Sequence, residues 1–193
     1  MQAAAKKRET LILVVGDSLS AEYGLKRGSG WVALLEARLT REKMAVTVVN
    51  ASISGDTTAG GRARLPALLA QRPDIVVLEL GANDALRGLP LGIARDNLDA
   101  MTTAAKAVGA NVVIAGMQMP PNYGQRYGEE FTALFAQVAK ARGASLVPFL
   151  LKGVADVPQA ESLFQADRIH PTAAAHPAIL DNIWPAIEPL LKR

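Results

Sequence analysis

The chain has 193 residues, half of them hydrophobic and a fifth charged, with a formal charge of +3 and no cysteine. That is room for one domain with its own core. Disulfides, thiolate chemistry and cysteine-held zinc are excluded, no apolar run nears the ~20 residues of a membrane helix, and the Lys and Arg residues are too scattered for a nucleic-acid patch.

Residues 1–10 read as a flexible N-terminal segment and 11–193 as a single domain. Lys6-Lys7-Arg8, the one tight basic cluster, reads as a solvated terminus. The start, Met1-Gln2-Ala3-Ala4-Ala5-Lys6, lacks the apolar stretch of a signal peptide. Leu11-Ile12-Leu13-Val14-Val15 then fits a parallel strand buried on both faces. Gly16-Asp17-Ser18-Leu19-Ser20 follows at once. A serine just past such a strand stands where ligands bind in open α/β sheets. Alone it reads equally as a helix cap or turn residue.

Tyr23 to Gly30 is rich in turn formers, with Ser29 as a candidate N-cap. Trp31, Val32, Leu34, Leu35 and Leu39 recur at helical spacing. Ala45–Val49 is a second strand, leading into the polar loop Asn50–Thr58. A helix to about Gln71 turns Leu65, Leu68 and Leu69 inward, and Arg72-Pro73-Asp74 ends it. Ile75–Leu80 is a third strand ending in the turn Gly81-Ala82-Asn83-Asp84. A helix from about Leu91 to Val108 carries Ile93, Leu98, Met101 and Ala105 on its inner face and stops at Gly109. Asn111–Gly116 is the fourth strand, followed by a long loop with Pro120-Pro121-Asn122-Tyr123-Gly124. The helix of Phe131, Leu134, Phe135 and Val138 closes at Gly143. Ser145–Phe149 is the fifth strand, Leu150–Pro171 is irregular, and a last helix spans about Thr172 to Leu191, with bends expected at Pro177 and Pro185. Strand and helix alternate five times. That argues for an α/β sandwich: a five-stranded parallel sheet in the flavodoxin-like order 2-1-3-4-5, helices on both faces.

Parallel strands present their carboxyl ends on one edge. The turns at Ser18, at Ser54-Gly55-Asp56 and at Asn83 should therefore meet in one crevice. The chain has two histidines, His170 and His176. A serine hydroxyl needs a base near neutrality, and Asp167, three residues before His170, can hold one ring nitrogen and leave the other for Ser18. An isolated Asp-x-x-His reads more readily as the start of a helix. His176 reads as structural.

Four blocks taken together change this balance. Gly16-Asp17-Ser18-Leu19-Ser20, Gly55, Gly81-Ala82-Asn83-Asp84 and Asp167-Arg168-Ile169-His170-Pro171 resemble the motif blocks of the SGNH, or GDSL, hydrolases. Asn50–Thr57 and Pro121–Gly124 resemble its bacterial periplasmic branch, which combines thioesterase, arylesterase and lysophospholipase activities. The resemblance implies Ser18 as nucleophile, His170 as base and Asp167 as its orienter. It implies an oxyanion hole made of the Ser18 and Gly55 N–H groups and the Asn83 amide. It implies Ile53, Leu86, Leu89, Pro121, Tyr123 and Ile169 as acyl-chain contacts, an acyl ester or thioester as substrate, no cofactor or metal, a monomer, and a periplasmic location. Two positions depart from the family, which often has Gly where Ala82 and Glu22 stand. Ala82 is expected to stiffen the loop behind Asn83, and Glu22 to bring a carboxylate toward the nucleophile.

Three rivals fit less of the chain. A metallophosphoesterase needs more ligands than two histidines supply. Gly28-Ser29-Gly30-Trp31-Val32-Ala33 matches a dinucleotide fingerprint but lies well past the first strand. An α/β-hydrolase needs G-x-S-x-G, which is absent.

Overall fold

The computed structural model describes residues 9–191. The Lys6-Lys7-Arg8 cluster and most of segment 1–10 lie outside the described residues. Five strands, β1 (Thr10–Gly16), β2 (Val46–Asn50), β3 (Ile75–Glu79), β4 (Asn111–Ala115) and β5 (Ser145–Val147), form one parallel sheet in the order β2-β1-β3-β4-β5. The flavodoxin-like expectation holds. Residues 12–15 of β1 and all of β3 are buried, as two-sided covering requires. Edge strand β2 has no buried residue: Thr47 and Asn50 are exposed and its valines are half-buried.

Six helices cover the sheet: α1 (Trp31–Arg41), α2 (Thr58–Leu69), α3 (Ala82–Leu86), α4 (Leu91–Ala107), α5 (Gln125–Arg142) and α6 (His176–Leu191). Right-handed crossovers dictate their sides. The step from β1 to β2 runs one way along the sheet and every later step runs the other. Hence α1 pairs with the returning α6, while α2, α4 and α5 form a row against one another.

The apolar spacing decides each helix's inner face. Trp31, Val32, Leu35 and Leu39 of α1 are buried, as are Leu98, Met101 and Ala105 of α4 and Phe131, Leu134, Phe135 and Val138 of α5. Phe131 and Phe135 meet edge to face with ring centres 5.1 Å apart. Each such side chain contributes about 1.5–3 kcal/mol when fully buried. Gly143 ends α5 in the left-handed conformation, φ +59°.

Several local expectations need correction. Ser29 does not cap α1; Gly30 holds that position, and the Ser29 hydroxyl donates to the Lys26 carbonyl instead. Ile93 is 53% exposed, because in the first turn of α4 its direction falls outside the packed stripe. The turn after β3 is the short helix α3. β5 stops two residues early, before Pro148, which has no N–H for a ladder. Pro177 lies in the first turn of α6, where a missing N–H is no loss, so Pro185 and Pro189 are the interior prolines.

His176 is buried, and its Nδ1 accepts the Trp31 N–H at 2.9 Å, joining α6 to the start of α1. This requires a neutral ring with its proton on Nε2. Burial lowers the His176 pKa from 6.5. The unfolded chain therefore takes up a proton that the native ring refuses, and the stabilisation is full above about pH 6.5 and lost as pH falls below it. Urea unfolding at pH 7 and pH 5 should show a larger loss of stability in the wild type than in His176→Asn, whose side-chain oxygen keeps the acceptor without the titration.

Candidate active site

β1 delivers Asp17 and Ser18 to the carboxyl edge of the sheet. The Asp17 carbonyl accepts the N–H groups of Ser20 (3.3 Å) and Ala21 (2.9 Å), and its Oδ1 accepts the Leu19 N–H at 3.0 Å. These bonds close the turn under Ser18 and fix its direction.

The loop from Phe164 to Pro171 carries the imidazole. Phe164 and Pro171 form an isolated antiparallel bridge, and the Gln165 N–H donates to the His170 carbonyl at 2.7 Å. The Gln165 amide donates to the carbonyls of Tyr23 (2.9 Å) and Pro171 (3.0 Å), tying this loop to the turn after Ser18. Arg168 has φ +58°, which folds the loop tightly enough for Asp167 to reach back. Asp167 Oδ1 accepts the N–H groups of Ile169 and His170, both at 3.0 Å. Asp167 Oδ2 lies 2.7 Å from His170 Nδ1, and His170 Nε2 lies 2.8 Å from Ser18 Oγ across 152 positions of chain. The His170 backbone and ring hydrogen bonds, with that of the Ile169 N–H, hold Asp167 down at about 2. It is ionised throughout the range in which an imidazole works as a base. Tyr23 covers the ring, with centroids 4.3 Å apart and planes at 38°.

The second and third turns close the crevice. The Ile53 N–H donates to the Gly16 carbonyl at 3.0 Å, tying the loop that carries Gly55 to the end of β1. Gly55 has φ +77°, a conformation that a side chain would strain. Among the described residues neither the Ser18 nor the Gly55 N–H has an acceptor. Asn83 Nδ2 donates to Asp17 Oδ2 and to the Asp56 carbonyl, both at 2.9 Å. Asp56 is held in turn by Arg64 Nε at 2.8 Å. Buried Asp84 accepts the Thr58 N–H (2.8 Å) and hydroxyl (2.6 Å), locking α3 to the start of α2.

The structure joins Ser18, His170 and Asp167 in series and sets the Asn83 amide against Asp17, while the sequence expects Gly55 in the same crevice. Sequence reasoning misplaces Glu22, whose carboxylate accepts the N–H groups of Gly28 (3.0 Å) and Gly30 (2.6 Å) and so folds the loop before α1. It misses Tyr23, Arg64, Gln165 and Glu79. Glu79 alone left a signal, as the one charge in an apolar strand. Ile53, Leu86, Leu89, Tyr123 and Ile169 are apolar side chains between 37% and 52% exposed. Pro121 begins the 3₁₀ turn Pro121–Tyr123. A hollow of about 440 Å³ lies between residues 118–120 and α5, lined by Met119, Pro120, Gln125 and Thr132 among others, and neither Ser18 nor His170 borders it. Among the described residues no group of three His, Asp or Glu side chains is disposed to hold a metal ion.

A parallel α/β sheet with a hydroxyl, an imidazole and a carboxylate in series at its edge is the architecture of hydrolytic enzymes. The model of the GDSL-like lipase/acylhydrolase family matches residues 14–178, and the chain belongs to that family of hydrolases. It is 52% identical over 191 residues to the esterase TesA of Pseudomonas aeruginosa, covering 98% of this chain and 92% of the relative. It is 40% identical over 181 residues to the thioesterase 1/protease 1/lysophospholipase L1 of Escherichia coli, covering 93% and 84%. The solved structure of the psychrotrophic esterase EstA from Pseudoalteromonas, inhibited by monoethylphosphonate, superposes with a TM-score of 0.88 at 39% identity, covering 95% of this chain and all of that one.

Asp167→Asn should separate orientation from bulk. The variant keeps the size of the side chain but presents an amide to Nδ1, so the ring settles in the wrong tautomer. Turnover should fall by about 10⁴-fold, as in other Ser-His-Asp sites. The melting temperature should barely move, because Asp167 is exposed.

Proposed function

We propose that the protein cleaves carboxylic esters and thioesters through an acyl-enzyme on Ser18. The observation that carries this reading is the unbroken series from Ser18 Oγ to His170 Nε2 (2.8 Å) and from His170 Nδ1 to Asp167 Oδ2 (2.7 Å). His170 takes the hydroxyl proton as Oγ bonds to the acyl carbon, and Asp167 holds the imidazolium that forms. The oxyanion is met by the two free N–H groups of Ser18 and Gly55 and by the Asn83 amide. Both Asn83 hydrogens already have acceptors, so the third donor comes from sharing one of them with the oxyanion. Collapse of the intermediate expels the alcohol or thiol, which takes the proton from His170. Water, activated by the same ring, then releases the acid.

The substrates proposed are acyl-CoA thioesters, aryl esters and lysophospholipids; the name thioesterase 1/protease 1/lysophospholipase L1 supports thioesters and lysophospholipids as classes. The exposed apolar side chains of Ile53, Leu86, Leu89, Tyr123 and Ile169 support an acyl chain laid along the surface. A periplasmic location rests on the resemblance alone. Among the described residues no helix is long and apolar enough to cross a membrane.

A phosphonate ester should label Ser18 stoichiometrically, as mass spectrometry of the digested protein would read. Ser18→Ala or His170→Ala should lower turnover by about 10⁶-fold, the scale of losing a triad member. An active Ser18→Ala protein overturns the mechanism.

The exposed apolar side chains make a separate prediction. Each substrate methylene buried against them gains at most about 0.8 kcal/mol, so kcat/KM should climb from acetyl esters to longer ones and then level off. Leu86→Ala and Leu89→Ala should flatten that climb and leave acetyl esters nearly untouched. An equal drop at every chain length means that the loop only supports Asn83.

A further inference from the structure

Beneath the turn that carries Ser18 lies a carboxyl group that the proposed reaction does not use. Glu79, the last residue of β3, is fully buried beside Gly16. Its Oε2 accepts the Ser20 hydroxyl at 2.7 Å and the Asp17 N–H at 3.2 Å. Ser20 Oγ accepts in turn from Trp31 Nε1 at 3.2 Å, so its own proton is committed to Glu79. Glu79 Oε1 is buried and, among the described residues, has no donor.

The group facing it is another carboxylate. Asp17 is 1% exposed, and its N–H already reaches Glu79 Oε2, so two buried carboxyl groups stand against each other. Two buried carboxyls in contact cannot both be ionised, so one proton lies between them. Its address follows from the other bonds. Asp17 Oδ1 accepts the Leu19 N–H (3.0 Å) and Oδ2 accepts the Asn83 amide (2.9 Å). Both Asp17 oxygens already act as acceptors. Glu79 has one oxygen serving as acceptor and one without a partner, the pattern of a neutral acid whose free oxygen carries hydrogen. We propose that Glu79 holds a proton on Oε1, donates it to the Asp17 carboxylate, and is thereby a positioning residue for the Asn83 amide. Burial raises Glu79 well above the usual carboxylate range, the direction that this assignment requires; it raises Asp17 as well, to about 6.

The consequence is electrostatic as well as geometric. The oxyanion forms next to a cluster that contains Asp17, Asp56, Arg64 and His170. A neutral Glu79 keeps a second negative charge out from under it. It also fixes the carboxylate that aims Asn83. The catalytic benefit rests on the reading of Asn83 as an oxyanion donor; the protonation of Glu79 does not.

The test therefore has two arms. Infrared difference spectra of wild type against Glu79→Gln at pH 7 should contain the C=O stretch of a neutral carboxylic acid, shifted in D₂O, in the wild type alone. Absence of that band overturns the protonation. Glu79→Gln supplies an N–H donor and a carbonyl acceptor of the same shape and cannot ionise, so its kcat should stay near that of the wild type. Glu79→Ala should lower kcat by up to about 10²-fold, the loss for one oxyanion donor, with KM unchanged. Adding Glu79→Ala to Asn83→Ala should cost little more than Asn83→Ala alone, since the two act through one group. If Glu79→Gln is as impaired as Glu79→Ala, the charge is what matters and the proposal falls. If Glu79→Ala does not fold, the infrared band and the Gln variant decide alone. A fully active Asn83→Ala with the band present refutes the oxyanion reading and the positioning role, and leaves the protonation standing.

Discussion

Gly16 and Glu79 stand side by side where β1 and β3 end, and the site depends on how close they come. A Cβ on Gly16 would lie 2.7 Å from both Glu79 Oε2 and Ser20 Oγ. Without that carbon, a carboxyl group folds under the Ser18 turn and grips it from below. Leaving buried ions in place would cost several kcal/mol each. The cluster meets that cost with donors from the turn after β1 and from α3, with Trp31 of α1 holding Ser20, and these segments become fixed to one another in the process. One missing side chain thus couples the Ser18 turn to the Asn83 turn.

The other half of the site is built differently. His170 and Asp167 sit on an exposed loop that contributes little to the core. It is held by hydrogen bonds instead: Gln165 to Tyr23 and Pro171, the Phe164–Pro171 bridge, and both Asp167 oxygens to its own loop. Water screens an exposed carboxylate, so Asp167 acts on His170 more by direction than by charge. The buried half is a hydrogen-bonded carboxyl cluster, and the exposed half presents a ring shielded by Tyr23.

The departures at Glu22 and Ala82 find local explanations. Glu22 has φ +58°, where glycine is the easy residue and any other carries about 1–3 kcal/mol of strain. Its carboxylate offsets this by accepting the Gly28 and Gly30 N–H groups. That bond makes Gly30 necessary, since a Cβ there would meet Glu22 Cγ at 2.6 Å. Ala82 opens α3 directly after Gly81, whose φ of +125° makes the turn from the strand. The flexible element is thus Gly81, and Ala82 favours the helix that carries Asn83.

The sequence by itself determined what depends on pattern. Apolar runs gave the strands, 3.6-residue spacing gave the helices, and their alternation gave the parallel order, because right-handed crossovers leave few alternatives. It also raised Ser18, Gly55, Asn83, Asp167 and His170 as candidates, the first three from turns at strand ends and the whole set from the four blocks that resemble the family. It misjudged Ser29 and Ile93, where propensity and period say nothing of which neighbour arrives. Only the tertiary structure decided where polar side chains spend their hydrogen bonds. Asn83 engages Asp17 and Asp56, Glu22 turns to its own loop, and Glu79 meets Asp17 across 62 positions. A carboxyl's partner and its proton are set by distances of a few ångströms between segments far apart in the chain, and local sequence carries no record of those distances.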